Sequence, residues 1–127
     1  MKKLLLVSTV IEVGAGLLLL LFPTQMALLL LGLQLLTPVE EIYGRLAGAR
    51  LIALGVACRV ACDEAHSRHE HGLVVVMLLY NILIVVAFVY AALALGASAI
   101  GLWPAVVLHT AMAAWCVASL RTREPAH

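Results

Sequence analysis

The sequence predicts an all-α integral membrane protein: a four-helix bundle with a short extra half-helix between its first and second spans. Two observations carry this. Of 127 residues, 65% are hydrophobic and only 12% charged, with a mean hydropathy of +1.11, whereas a water-soluble domain is about 45–50% apolar and about 25% charged. The apolar residues also fall in runs near the roughly 20 residues that a spanning helix needs, separated by Pro, Gly and charged punctuation. Four such runs use nearly the whole chain as a single transmembrane domain. The composition excludes a soluble globular enzyme, a disordered tail and a nucleic-acid binder, and the formal net charge of +1 points to no acidic partner.

The first span is expected at about residues 4–22, closed by Pro23. Met1-Lys2-Lys3 ahead of an apolar run is like a signal peptide, but Glu12 interrupts the run and no small-residue cleavage site follows. The segment therefore reads as a retained span that also directs insertion. Residues 25–36 are too short to cross a bilayer and read as a re-entrant or interfacial half-helix, or as a continuation of the first helix past a proline kink. Thr37-Pro38-Val39-Glu40 is a helix start, with an N-cap Thr, Pro at the first helical position and Glu at the third. The second span is expected at about 40–62, with Glu40, Glu41 and Tyr43 at headgroup level. Asp63 to His71 reads as a polar cytoplasmic loop, 72–95 as an uncharged third span, Gly96 to Gly101 as a turn, and 101–120 as the fourth span.

Basic residues set the orientation, because Lys and Arg are retained on the cytoplasmic side. Lys2, Lys3, Arg59, Arg68, Arg121 and Arg123 fall at one end of this arrangement, and only Arg45 and Arg50 toward the other. Both termini are expected in the cytoplasm and the bundle in a bacterial inner membrane. Trp103 then lies at the outer interface and Trp115 toward the inner one.

The polar residues inside the spans are the candidate site. Glu12, Asn81 and His109 each lie eight or nine residues from a span edge, on the order of 12–14 Å into a core roughly 30 Å thick. Arg50 is expected slightly to the outer side. An ionisable group at that depth costs about 2.5–3.5 kcal/mol on the lenient insertion scale, so it should face the interior and find a partner. The natural pair is Glu12 with Arg50, through a bidentate carboxylate–guanidinium contact. Asn81 and His109 complete a hydrogen-bonded layer, and Tyr80 adds a phenol, although Tyr80 and Asn81 are adjacent and cannot both point straight at the axis. Read functionally, these five residues form a polar pocket for a lipophilic small molecule, with Glu12 and His109 able to handle protons and Arg50 able to hold an anionic or carbonyl oxygen. Read structurally, they tie the helices together.

The second span also carries small residues, Gly44, Gly48 and Gly55 with Ala47 and Ala49, and the first carries Gly14 and Gly16. These predict close helix contact within the chain, with a homodimer interface as the rival reading. Cys58, Cys62 and Cys116 read as small apolar core residues. With His66 they resemble a soft metal-ligand set only in residue type, since the spacing matches no metal motif. The residues of the 63–71 segment, including His66, His69 and His71, read as a solvated loop rather than a metal site. A bis-histidine haem is disfavoured because His109 is the one histidine inside a span. The sequence names no cofactor.

Two families are similar in pattern. Gly16 and a closing Pro23 in the first span, a short second apolar piece, and the segment Arg45-Leu46-Ala47-Gly48-Ala49-Arg50-Leu51-Ile52-Ala53-Leu54-Gly55 resemble the DoxX-like group of four-helix bacterial membrane proteins. The resemblance covers about the first half of the chain and implies a membrane redox or quinone-linked role, with no functional residue carried over. Glu12 within Ile11-Glu12-Val13 is also similar to the single first-span glutamate of small multidrug transporters. Arg50, Arg59, His109 and the extra half-helix depart from that pattern. Three classes of function follow: a ligand-binding or redox accessory protein of the membrane, a proton-coupled exporter, and an enzyme acting on a lipid-soluble substrate with Glu12 and His109 as acid and base.

Overall fold

A computed structural model describes residues 1–63 and 67–122. Among these residues the chain is all-α, with five helices and no strands: α1 (Lys2–Leu21), α2 (Pro23–Leu31), α3 (Pro38–Asp63), α4 (Ser67–Ala94) and α5 (Leu102–Arg121). Three of them, α1, α4 and α5, are long and apolar enough to cross a membrane. α3 has the length, at 26 residues, but its charges, including Arg45, Arg50 and Arg59, separate it from the other three.

Pro23 decides where α1 stops. It has no N–H to donate to the preceding turn, and it sits at the first position of the next helix, where none is needed. A carbonyl freed by this break, that of Leu20, accepts a hydrogen bond from the Arg45 guanidinium on α3. The half-helix expected at residues 25–36 is shorter and begins earlier. It ends at Leu31 because Gly32 adopts the left-handed conformation (φ 78°) that terminates a helix. Thr37 and Glu40 then form a reciprocal capping box. The Glu40 N–H donates to Thr37 Oγ1, and both the Thr37 N–H and its hydroxyl donate to Glu40 Oε2.

At the other end of α3 the structure departs from the expected 63–71 loop. α4 begins at Ser67, so Ser67 to His71 are helical; Glu64 and His66 lie outside the described residues. Two features explain the earlier start. Glu70 sits in the first turn, where a carboxylate complements the helix dipole. It is also buried, with Lys2 Nζ 3.9 Å away. Arg59 pairs with Asp63 one turn on, closing the end of α3.

α1 lies antiparallel along α3, and α4 along α5. The first pair is brought together by glycine. A Cβ built on Gly16 would stand 2.7 Å from the Gly48 carbonyl oxygen, and one on Gly48 would stand 2.5 Å from the Gly16 carbonyl oxygen. Gly55 fits against Val13 and Thr9 in the same way, and Gly44 against Pro23. The small-residue face of α3 is therefore occupied by the chain's own first two helices. α2 is held at the end of the molecule away from Lys2 by a hydrogen bond from the Gly101 N–H to the Leu29 carbonyl (2.9 Å) and one from the Thr24 hydroxyl to Glu41 (3.1 Å).

The packed core occupies the end nearer Lys2 and Asp63. Leu4, Leu5, Cys58, Val74, Met77 and Cys116 are buried there, with Cys62 and Met112 beside them. All three cysteines are buried free thiols. Beyond this core, past Glu12, the helices do not fill the space between them.

Candidate functional site

Above the sulfur-rich core lies a cavity of about 500 Å³ that all five helices help to line. Its walls are almost entirely hydrocarbon, with residues such as Leu19, Met26, Leu54, Ile84 and Leu108. Four polar-tipped side chains interrupt them: Glu12 from α1, Arg50 from α3, Tyr80 from α4 and His109 from α5. The volume falls within the roughly 300–1,000 Å³ of small-molecule pockets, and so does the pattern of apolar walls with a few convergent polar groups.

Glu12 points inward from the middle of α1 and is 3% exposed. Its carboxyl lies beside the Tyr80 phenol. The Tyr80 ring in turn meets the His109 imidazole edge to face, with centroids 5.9 Å apart and planes at 78°. Phe88, about two turns further along α4, also approaches the imidazole, with ring centroids 6.3 Å apart. Asn81 is buried at 1% exposure and does not line the cavity. It stands behind His109, with His109 Nδ1 2.8 Å from Asn81 Oδ1.

This contact sets the histidine tautomer. Asn81 Nδ2 donates to the Met77 carbonyl at 2.7 Å. Turning the amide over would set its oxygen against that carbonyl, so Oδ1 must face the imidazole. Oδ1 can only accept, so Nδ1 carries the hydrogen and Nε2 of the neutral ring is left as an acceptor. Among the described residues Nε2 has no hydrogen-bond partner on the chain, and it is not one of the sealed, orphaned polar atoms. One such atom is Ser8 Oγ, one turn before Glu12 on α1 and fully buried.

The structure thus brings Glu12, Tyr80, Asn81 and His109 into one connected cluster. Tyr80 and Asn81, adjacent on α4, both belong: one reaches Glu12 and the other His109 from behind. Arg50 lines the same cavity from an exposed position at its edge, without joining them. No ion pair forms between Glu12 and Arg50; the described residues pair Lys2 with Glu70 and Arg59 with Asp63 instead. The register of α1 on α3 accounts for this. Gly48 lies against the Gly16–Leu20 turn and Gly55 against the Thr9–Val13 turn. Arg50 is therefore about one helical turn from the level of Glu12, where the nearer polar neighbour of the carboxyl is Tyr80.

Three participants went unread in the sequence. Phe88 is one apolar residue among many on α4, with no polar signal to mark it. Met26 and Leu30 come to the cavity from the half-helix, whose position over the bundle depends on the Gly101–Leu29 hydrogen bond. Among the described residues no group of three or more His, Cys, Asp or Glu is gathered as metal ligands. The arrangement can instead hold the oxygen-bearing end of an apolar molecule, offering a carboxyl, a phenol, an imidazole acceptor and a guanidinium. No protein-family model, curated protein or solved structure matches the chain.

Proposed function

We propose that this protein is a four-helix bundle of the bacterial inner membrane, with α3 as its fourth span, which binds a lipophilic small molecule, quinone-like or lipid-like, in the cavity above Glu12. In this reading it serves as a redox or accessory subunit, with membrane lipid around it and both termini in the cytoplasm. The observation that carries the proposal is the convergence of Glu12, Tyr80 and His109 on a hydrocarbon-walled space of about 500 Å³. Polar residues that served only as interhelical glue would be used up on one another, as Asn81 is on Met77 and His109. Here one imidazole nitrogen and a guanidinium remain for something else. α3 supports the bundle by lying along α1 through its glycines, with its charges spent locally: Arg45 on the end of α1, Arg59 on Asp63. The DoxX-like pattern of residues 45–55, with Gly16 and Pro23, supports a quinone-linked role.

The polar end of the ligand is read by the cluster, and its apolar part lies against the hydrocarbon wall. A quinone carbonyl accepts from Tyr80 or a protonated Glu12; a ligand hydroxyl donates to His109 Nε2. Glu12 and His109 can each move a proton to or from such an oxygen. The test is mass spectrometry of small molecules that co-purify with the chain in mild detergent. Wild-type protein is expected to carry one apolar species in near-stoichiometric amount, and Glu12→Gln and His109→Ala to lose it while inserting normally. Full retention by both variants removes the pocket and leaves the glue reading.

A second reading, proton-coupled export, is favoured by one observation: Glu12 is a buried carboxyl in the first apolar helix, facing the cavity. It requires proton release from Glu12 when a cationic substrate binds, which a pH-indicator titration of the purified protein measures.

A further inference from the structure

Arg50 stands out among the cations of this chain. It lies twelve residues beyond Pro38 and thirteen before Asp63, about 18 Å and about 20 Å from the two ends of α3 at ~1.5 Å per residue. If α3 spans the membrane, as proposed above, that is near the middle of a hydrocarbon layer roughly 30 Å thick. An arginine at that depth is costly and ordinarily faces a cavity or finds a partner. The other charges of α3 have partners: Glu40 on Thr37, Glu41 on Thr24, Arg45 on the Leu20 carbonyl, Arg59 on Asp63. Arg50 has neither an ion pair nor a hydrogen bond among the described residues; its side chain is exposed and borders the open edge of the cavity that it helps to line.

A guanidinium has five N–H donors and a charge that is never given up. Glu12 does not serve it: the register of α1 on α3 sets the two about one turn apart, and no ion pair joins them among the described residues. A neutral carbonyl on a ligand would accept one or two of the donors and leave the charge unbalanced in hydrocarbon. A carboxylate satisfies both needs at once, in the bidentate geometry for which arginine is suited. The remaining wall of the cavity is apolar and suits an alkyl chain.

We infer that the cavity's ligand is an acidic amphiphile, an alkyl chain ending in an oxyanion, whose headgroup is held by Arg50. This rests on the reading of the cavity as a lipophilic-ligand site and specifies the charge of what enters it. The same chemistry is offered by a free fatty acid and by the phosphate of an anionic phospholipid, and the experiment separates them.

The full chain in a neutral detergent is titrated with oleate, oleyl alcohol, methyl oleate, phosphatidic acid and a short-tailed quinone, reading Trp and Tyr fluorescence and confirming by calorimetry. Oleate is expected to bind at least about tenfold more tightly than the alcohol and the ester, the scale of one charge-assisted hydrogen bond. Arg50→Gln is expected to bring the three within about twofold of each other while leaving the alcohol where it was. Arg50→Lys, which keeps charge and loses the fork, is expected to retain part of the preference. Phosphatidic acid binding in place of oleate assigns the oxyanion to a phospholipid and keeps the inference. Equal binding of oleate, alcohol and quinone by the wild type overturns it and leaves the lipophilic pocket standing. An oleate preference that survives Arg50→Gln overturns it too. Absence of binding by every probe overturns both. Thermal melting of each variant excludes unfolding as the cause, and removing a charge from the hydrocarbon layer favours insertion rather than opposing it.

Discussion

Asn81 shows how one buried side chain can determine what its neighbour offers. Its amide is oriented by a carbonyl of its own helix, and that orientation selects the Nδ1–H form of His109. The acceptor face of the imidazole is thus decided by a residue that never touches the cavity. Nitrogen NMR of histidine-labelled protein is expected to show the Nδ1–H tautomer at neutral pH. Asn81→Leu should abolish that preference and destabilise the protein by about 1–3 kcal/mol, the cost of leaving a buried polar group without its partner. A wild-type signal from Nε2–H would mean that the amide is turned the other way. The sequence marks Glu12, Asn81 and His109 by their depth, and depth is legible because helical rise is constant. It does not reveal that Glu12 stands beside Tyr80 rather than pairing with Arg50, since the choice of neighbour depends on rotation about each helix axis and on register.

At the scale of elements, the α1–α3 pair is the structural centre. Gly16 and Gly48 let two backbones touch, and their carbonyl oxygens fill the space that a methyl group would need. Gly48→Ala is expected to cost about 1–3 kcal/mol by overpacking, and to shift the melting transition accordingly, measured by circular dichroism in detergent. Because Arg50 lies two residues away, the same change should also disturb ligand retention. A variant as stable as the wild type would show that the helices part easily at that level. The helix boundaries illustrate two different cases. Pro23 and the Thr37–Glu40 box can be read directly, because each acts through local geometry. The early start of α4 cannot, because it depends on Glu70 being buried beside Lys2 from the other end of the chain.

For the whole molecule, packing is uneven: a close-packed, cysteine- and methionine-bearing core at one end and an open, hydrocarbon-walled space beyond Glu12. A protein shaped only for stability would fill that space, since voids forfeit dispersion contacts. The short helix α2 roofs part of it and is attached through Gly101 and Thr24. In the proposed bundle the Lys2 end faces the cytoplasm, because basic residues gather there. Ser98→Cys, in the exposed turn between α4 and α5, should be modified by an impermeant maleimide on intact cells. Thr122→Cys, just past α5, should react only after permeabilisation. The opposite pattern would invert the orientation.

The amino-acid sequence alone was enough to determine an all-α protein with long apolar helices, the break at Pro23, the start of α3, and the burial of Glu12 and Asn81 among apolar side chains. These depend on composition and on interactions within a few residues of each other. Tertiary structure alone decided that Tyr80, not Arg50, meets Glu12, that Asn81 acts from behind His109, and that α2 and Phe88 help enclose the cavity. Each of those depends on how one helix is rotated and slid against another, and the physical cause is the backbone contact of Gly16 with Gly48, which sets the register from a distance.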